Sequence, residues 1–212
     1  MTLEEITHSE NANSFNASSK VITNPEEIKQ YLESLAEQYP TAVIRRLNPG
    51  DVIQNGNSAY VLDDLEKICN QVYDKSNLFP GKIPLTPIYK SFRIPSDKFI
   101  ECKSNFSEVL NKGEGMCFEH AVLTHLFAQK NEKDPSYLIA EGYLMEETGE
   151  RGPHAYNLVF RGDKPFLVDS QNPLGGELDL CHYTAPITGI KPYGNEIFVE
   201  DEWKQGREYF IL

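Results

Sequence analysis

Long apolar runs are missing from this 212-residue chain. No stretch approaches the roughly 18 consecutive apolar residues that a membrane-spanning helix needs, so no membrane span is expected. Positive charge is also scarce. With 20 Lys and Arg against 32 Asp and Glu, the net charge is −12. Phosphate contacts need clustered cations, so nucleic-acid binding is not expected. Cysteine is limited to Cys69, Cys102, Cys117 and Cys181, with no Cys-x-x-Cys pair. The opening Met1-Thr2-Leu3-Glu4-Glu5 lacks the basic-then-apolar pattern of a signal peptide. A cytoplasmic protein with reduced thiols is therefore expected, although a signal-independent export route would leave no trace of this kind. There is no His-Glu-x-x-His motif, and the five-residue spacing of His120 and His125 does not match the i, i+4 spacing of a helical zinc pair. Neither a metal nor a cofactor is expected.

What the chain does contain is organised in two parts. Residues 1–22 are rich in Asn, Ser and Glu and poor in apolar side chains, and read as a mobile tail. Residues 23–212 read as a single domain, long enough to bury a substantial core. Its first helix is signalled by Asn24 as N-cap, Pro25 at the first position and Glu26-Glu27 facing the positive helix end. Ile28, Tyr31, Leu32, Leu35 and Tyr39 then share a face. A second helix is predicted over 58–75 from Val61, Leu62, Leu65, Ile68, Cys69 and Val72. Residues 77–95 carry four prolines and read as a long ordered loop that walls a cleft or packs as cover. A helix from Cys117 to about Lys130 is followed by strand-like runs at 137–145, 154–160, 166–169, 183–190, 196–200 and 209–212. Helices first and strands last imply an α+β domain, with an antiparallel sheet packed on the helix that Cys117 opens.

Three segments carry chemistry. Cys117 stands in Gly113-Glu114-Gly115-Met116-Cys117-Phe118-Glu119-His120-Ala121, after a glycine-rich turn where backbone can approach a substrate. A helix N-terminus favours a thiolate, the form of cysteine that attacks carbonyl carbon. His154 opens the strand Pro153-His154-Ala155-Tyr156-Asn157, and Asp169 ends the run Phe166-Leu167-Val168-Asp169. The two runs, joined by Arg161-Gly162-Asp163-Lys164, read as a hairpin whose open end would set His154 beside Asp169. An imidazole there would take the thiol proton and later deliver it to a leaving group, and a carboxylate would orient the imidazole. The Cys117 N–H is the expected oxyanion donor. Asn111 is a candidate for a second donor or for turn chemistry. Glu119 is expected on the exposed side of the first helical turn, and Asn157, assigned to the His154 face, as a support or an edge residue. Cys69 is expected in the core, and Cys102 and Cys181 have no partner spacing.

Together these segments resemble the transglutaminase-like superfamily of papain-like thiol enzymes. The carriers are Gly115-Met116-Cys117-Phe118-Glu119-His120-Ala121, His154-Ala155-Tyr156-Asn157 and Val168-Asp169-Ser170-Gln171-Asn172-Pro173. The resemblance implies a papain-like α+β fold and an acyl-transfer enzyme whose catalytic residues are Cys117, His154 and Asp169. Its partner would be a protein or peptide substrate, attacked at a carboxamide or peptide carbonyl as by a protease, glutamine deamidase or transglutaminase. The trio also resembles arylamine N-acetyltransferases, but those carry Arg-Gly-Gly before x-Cys, where in this chain Glu114 separates Gly113 from Gly115 and Lys112 stands in place of the arginine. A non-catalytic interaction module on the same scaffold is the reading from another class.

Overall fold

The computed structural model describes residues 20–55, 58–73, 88, 91, 104–113, 115–131, 135–171, 184–202 and 206–211. It is α+β, with an antiparallel sheet as its largest element. Its helices are α1 (Pro25–Gln38), α2 (Leu65–Tyr73), α3 (Phe106–Lys112) and α4 (Cys117–Asn131). A small sheet is built from β2 (Val52–Asn55), β3 (Ser58–Val61) and β4 (Ser104–Asn105). The large one holds β1 (Val43–Ile44), β5 (Ser136–Met145), β6 (Arg151–Arg161), β7 (Lys164–Val168), β8 (Thr184–Tyr193), β9 (Glu196–Asp201) and β10 (Glu208–Ile211).

The large sheet closes on itself. One edge of β5 pairs with β6 along its length, while the other takes β1 at residues 138–139 and β10 at residues 142–145. The ring β5-β10-β9-β8-β7-β6 is thus a six-stranded antiparallel barrel. Register shifts at Ile139/Gly142 in β5 and Ile187/Gly189 in β8 supply the bends that closure requires. Inside lie Ile139, Tyr156, Leu158, Leu167, Val199 and Tyr209, in one cluster with Ile28, Leu32 and Leu35 of α1. The outward Leu138, Ala155, Val159 and Val168 belong instead to the cluster that contains α4, α2 and α3. Period-two alternation divides β6 between these two cores.

α1 begins as its sequence dictates: the Asn24 side chain accepts from the N–H groups of Glu26 (2.9 Å) and Glu27 (3.2 Å). Ile28, Leu32 and Leu35 are buried, whereas Tyr39, expected on the same face, is exposed beyond the last turn. The helix predicted over 58–75 is shorter. Residues 58–61 form β3, and Asp64 accepts from Glu66 N–H (2.9 Å) and Lys67 N–H (3.1 Å), so it caps a helix that starts at Leu65. Buried Tyr60 and Leu62 with half-exposed Val61 between them follow the strand period, not the helical one. Of the expected tail, Ile22 exchanges two backbone hydrogen bonds with Ile190 (2.8 and 3.0 Å), which ties that part of the chain to β8. The proline-rich 77–95 lies outside the described residues apart from Ile88 and Ser91, both buried. Among the described residues no helix is long and apolar enough to cross a membrane.

Candidate functional site

Cys117 is the first residue of α4, and the turn before it is held from several sides. Gly113 ends α3 in the left-handed conformation (φ 71°), its N–H reaching the carbonyls of Val109 and Leu110. A glycine there avoids the Cβ strain of that conformation. At the start of α4, Glu119 Oε2 accepts the Met116 N–H at 2.7 Å, and His120 Nδ1–H donates to the Met116 carbonyl at 2.7 Å. The first contact is the carboxylate half of a capping box. Glu119 is therefore buried, not on the exposed side of the first turn as expected. Its other oxygen accepts the Tyr60 hydroxyl at 2.5 Å. The small sheet causes the difference, because Tyr60 of β3 lies over the helix start and stacks on Phe118.

His154 lies on β6 opposite Gly142 of β5. The β6–β7 hairpin turns at Gly162-Asp163, and its pairing of Asn157 with Val168 continues to set Asp169 across from Tyr156. Tyr156 and His154 are two apart and share a face, so Asp169 is diagonal to His154 at the open end of the hairpin. There His154 Nε2–H donates to Asp169 Oδ2 at 2.8 Å, with both side chains almost fully buried. The Cys117 side chain is near enough to act on the imidazole, favouring its charged form. With Nε2 committed to Asp169, Nδ1 is the nitrogen left for the thiol. Burial by itself disfavours the charged imidazole. The Asp169 carboxylate, by charge and hydrogen bond, and Cys117 outweigh it, and the His154 pKa is pushed up to about 10.

Asp169 is held by more than the histidine. Tyr209 O–H of β10 donates to the same Oδ2 at 2.8 Å, and the Gln171 N–H donates to Oδ1 at 3.2 Å. Ser170, next in sequence, accepts from Thr124 Oγ of α4 at 2.9 Å, fastening the end of β7 to the helix that carries Cys117. Two rings flank the imidazole: Tyr156 stacks on it at 6.2 Å, and Tyr209 is tilted against it at 6.1 Å. Burial, reinforced by the Asp169 charge, pushes both phenols well above their ordinary range, so both stay protonated.

Cys117, His154 and Asp169 are thus brought together, and the other expectations resolve separately. Asn157 does not share the His154 face. Three residues away, an odd number, it lies with Ala155 and Val159, and its Nδ2–H donates to the Ala121 carbonyl of α4 at 3.0 Å. Asn111 sits exposed on the last turn of α3. Cys69 is in the core, where burial, with a smaller push from Glu66 against Lys130, raises its thiol to about 11. Cys102 and Cys181 lie outside the described residues. His125 is a core histidine with its Nδ1 3.2 Å from the Ser136 hydroxyl, and burial, helped by the Arg45 charge, pushes its pKa down to about 3. Among the described residues, no three His, Cys, Asp or Glu side chains converge as metal ligands. Sequence reasoning missed Tyr60, Tyr156 and Tyr209. The available signal was weak: a buried tyrosine hydroxyl usually finds a partner, as those of Tyr60 and Tyr209 do, but the sequence does not say which partner.

Comparison with family models, with curated proteins and with solved structures gives no match to this chain.

Proposed function

We propose that this protein is a thiol-dependent acyl-transfer enzyme in which Cys117 is the nucleophile, His154 the general base and then acid, and Asp169 its orienter. The observation that carries the reading is the buried 2.8 Å contact of His154 Nε2 with Asp169 Oδ2, on an imidazole whose protonation Cys117, the first residue of a helix, also favours. The proton on His154 matters most here. An imidazolium beside the sulfur balances thiolate charge, and it is the acid that the departing amine requires.

In the proposed reaction Cys117 Sγ attacks the carbonyl carbon of a carboxamide or peptide bond in a protein or peptide substrate. A C–S bond forms, and the carbonyl oxygen becomes an oxyanion, for which the Cys117 N–H is the proposed donor. The C–N bond then breaks as His154 gives its proton to the leaving nitrogen, leaving a thioester on Cys117. Water or an amine attacks the thioester, His154 takes the proton of that nucleophile, and the C–S bond breaks to regenerate the thiolate–imidazolium pair. Water gives proteolysis or deamidation, and an amine gives transamidation.

The resemblance to the transglutaminase-like superfamily supports the same roles. A helix that opens on the cysteine and packs on an antiparallel barrel carrying the histidine is in keeping with a papain-like fold. The test is chemical. Iodoacetamide at pH 6 should alkylate Cys117 at least about tenfold faster than Cys69, Cys102 or Cys181, an advantage lost in His154→Ala. In candidate substrate proteins the active chain should produce a mass change, a crosslink or fragments that Cys117→Ala does not. Labelling of all accessible cysteines at a free-thiol rate would refute the mechanism and favour a binding module.

A further inference from the structure

Tyr209 has no counterpart in the Cys-His-Asp roles, yet it touches the centre of the site. Its hydroxyl donates to Asp169 Oδ2 at 2.8 Å, onto the oxygen that also receives His154 Nε2–H at 2.8 Å. An ionised carboxylate oxygen offers about two lone-pair directions, so these two donors fill Oδ2 while Gln171 N–H occupies Oδ1. The carboxylate, itself almost fully buried, cannot rotate without breaking one of these contacts. Tyr209 also belongs to β10, the strand that closes the barrel: it pairs with Leu144 of β5 on one side and Val199 of β9 on the other. Asp169 directly follows β7, on the other side of that ring.

We propose that Tyr209 is a positioning residue, which fixes the Asp169 carboxylate against His154 and makes the aim of the imidazole at Cys117 depend on closure of the barrel by the last strand. The proposal rests on the acyl-transfer reading above and deepens it. By drawing part of the Oδ2 charge, the phenol also limits how tightly the carboxylate holds the His154 proton, which must leave His154 for the departing amine. The charged or titratable groups around this pair are Asp169, Cys117 and Tyr156 about His154 and Tyr209, with Arg207 acting on Tyr209.

The test is the pH profile of Cys117 alkylation by iodoacetamide, read by mass spectrometry on the full chain from pH 4 to pH 10, in wild type, Tyr209→Phe and His154→Ala. The wild type should show two limbs, with the upper one set by loss of the His154 proton, and His154→Ala should collapse them to a single free-thiol curve. Tyr209→Phe, with the carboxylate charge no longer shared, should move the upper limb up by about half to one pH unit, the scale of one hydrogen bond to a charged group. An upper limb superimposed on the wild-type one, or moved down, overturns the role of Tyr209 and leaves the acyl-transfer reading standing. A wild-type profile identical to that of His154→Ala overturns the acyl-transfer reading itself. If Tyr209→Phe does not fold, the Tyr209 hydroxyl proton in the wild type serves instead. A slowly exchanging NMR signal that shifts in Asp169→Asn supports the contact, and fast exchange overturns it.

Discussion

Replacing Asp169 by Asn removes one charge and one acceptor from a carboxylate held by several donors. Oδ2 accepts two donors, His154 Nε2–H and Tyr209 O–H, and Oδ1 accepts the Gln171 N–H. An asparagine with its oxygen in the Oδ2 position turns its NH2 toward the Gln171 N–H, donor against donor. Flipped, it points the NH2 at Tyr209 and at His154, which must then present a lone pair at Nε2 and carry its proton on Nδ1. That is the tautomer unable to take a proton from the thiol. Either orientation loses at least one buried hydrogen bond to a charged group, about 1.5–3 kcal/mol. The effect on His154 is larger. With the carboxylate charge gone, burial, the largest influence, is opposed only by Cys117, and the pKa should fall well below about 10. On the proposed acyl-transfer mechanism, turnover should drop by about 10⁴, the scale known for the triad carboxylate of serine proteases. Imidazole NMR signals followed against pH, with Cys117 alkylation rates in parallel, measure both effects. A variant that keeps His154 protonated at pH 8, or turns over within tenfold of wild type, would refute the reasoning.

Other outcomes can be checked with simpler assays. A group with a raised folded-state pKa stabilises while protonated, so the contribution of His154 is complete below 6.5 and is lost as the pH rises through about 10. Urea titrations should show unfolding free energy falling over that alkaline window, with a flatter decline in His154→Ala. Gly142→Ala should cost about 1–3 kcal/mol and slow Cys117 alkylation, because the new Cβ would lie 2.8 Å from the Phe210 carbonyl and 2.9 Å from the Tyr156 ring that stacks on His154. Leu32→Ala should lower stability by about 2–5 kcal/mol and the thermal midpoint by about 4–20 °C, since Leu32 is fully buried with the barrel interior. Tyr39→Ala, at an exposed position just after the same helix, should stay within about 0.5 kcal/mol of wild type in the same melt.

Signals that act over a few residues were legible in the sequence. Asn24, Pro25 and the two glutamates fixed the start of α1, because a cap bonds its own first turn. The Gly113 turn, the apolar run after it and the alternating strands placed Cys117 at a helix start and His154 and Asp169 at the open end of one hairpin, because helix and strand periods are local properties of the chain. Asp64 was an equally local cap. Reading 58–75 as one helix passed over it, because Val61 and Leu62 suit either period when taken alone. Only the tertiary structure decided that the sheet closes, since pairing of β10 with β5 joins segments some sixty positions apart and leaves no mark on either. It also decided that Glu119 turns inward to Met116 and Tyr60, that Asn157 reaches α4, and that Tyr209 completes the hold on Asp169. Most buried polar atoms find a partner, and the sequence states that preference. The partner is whichever distant strand or helix packing brings within 3 Å or so.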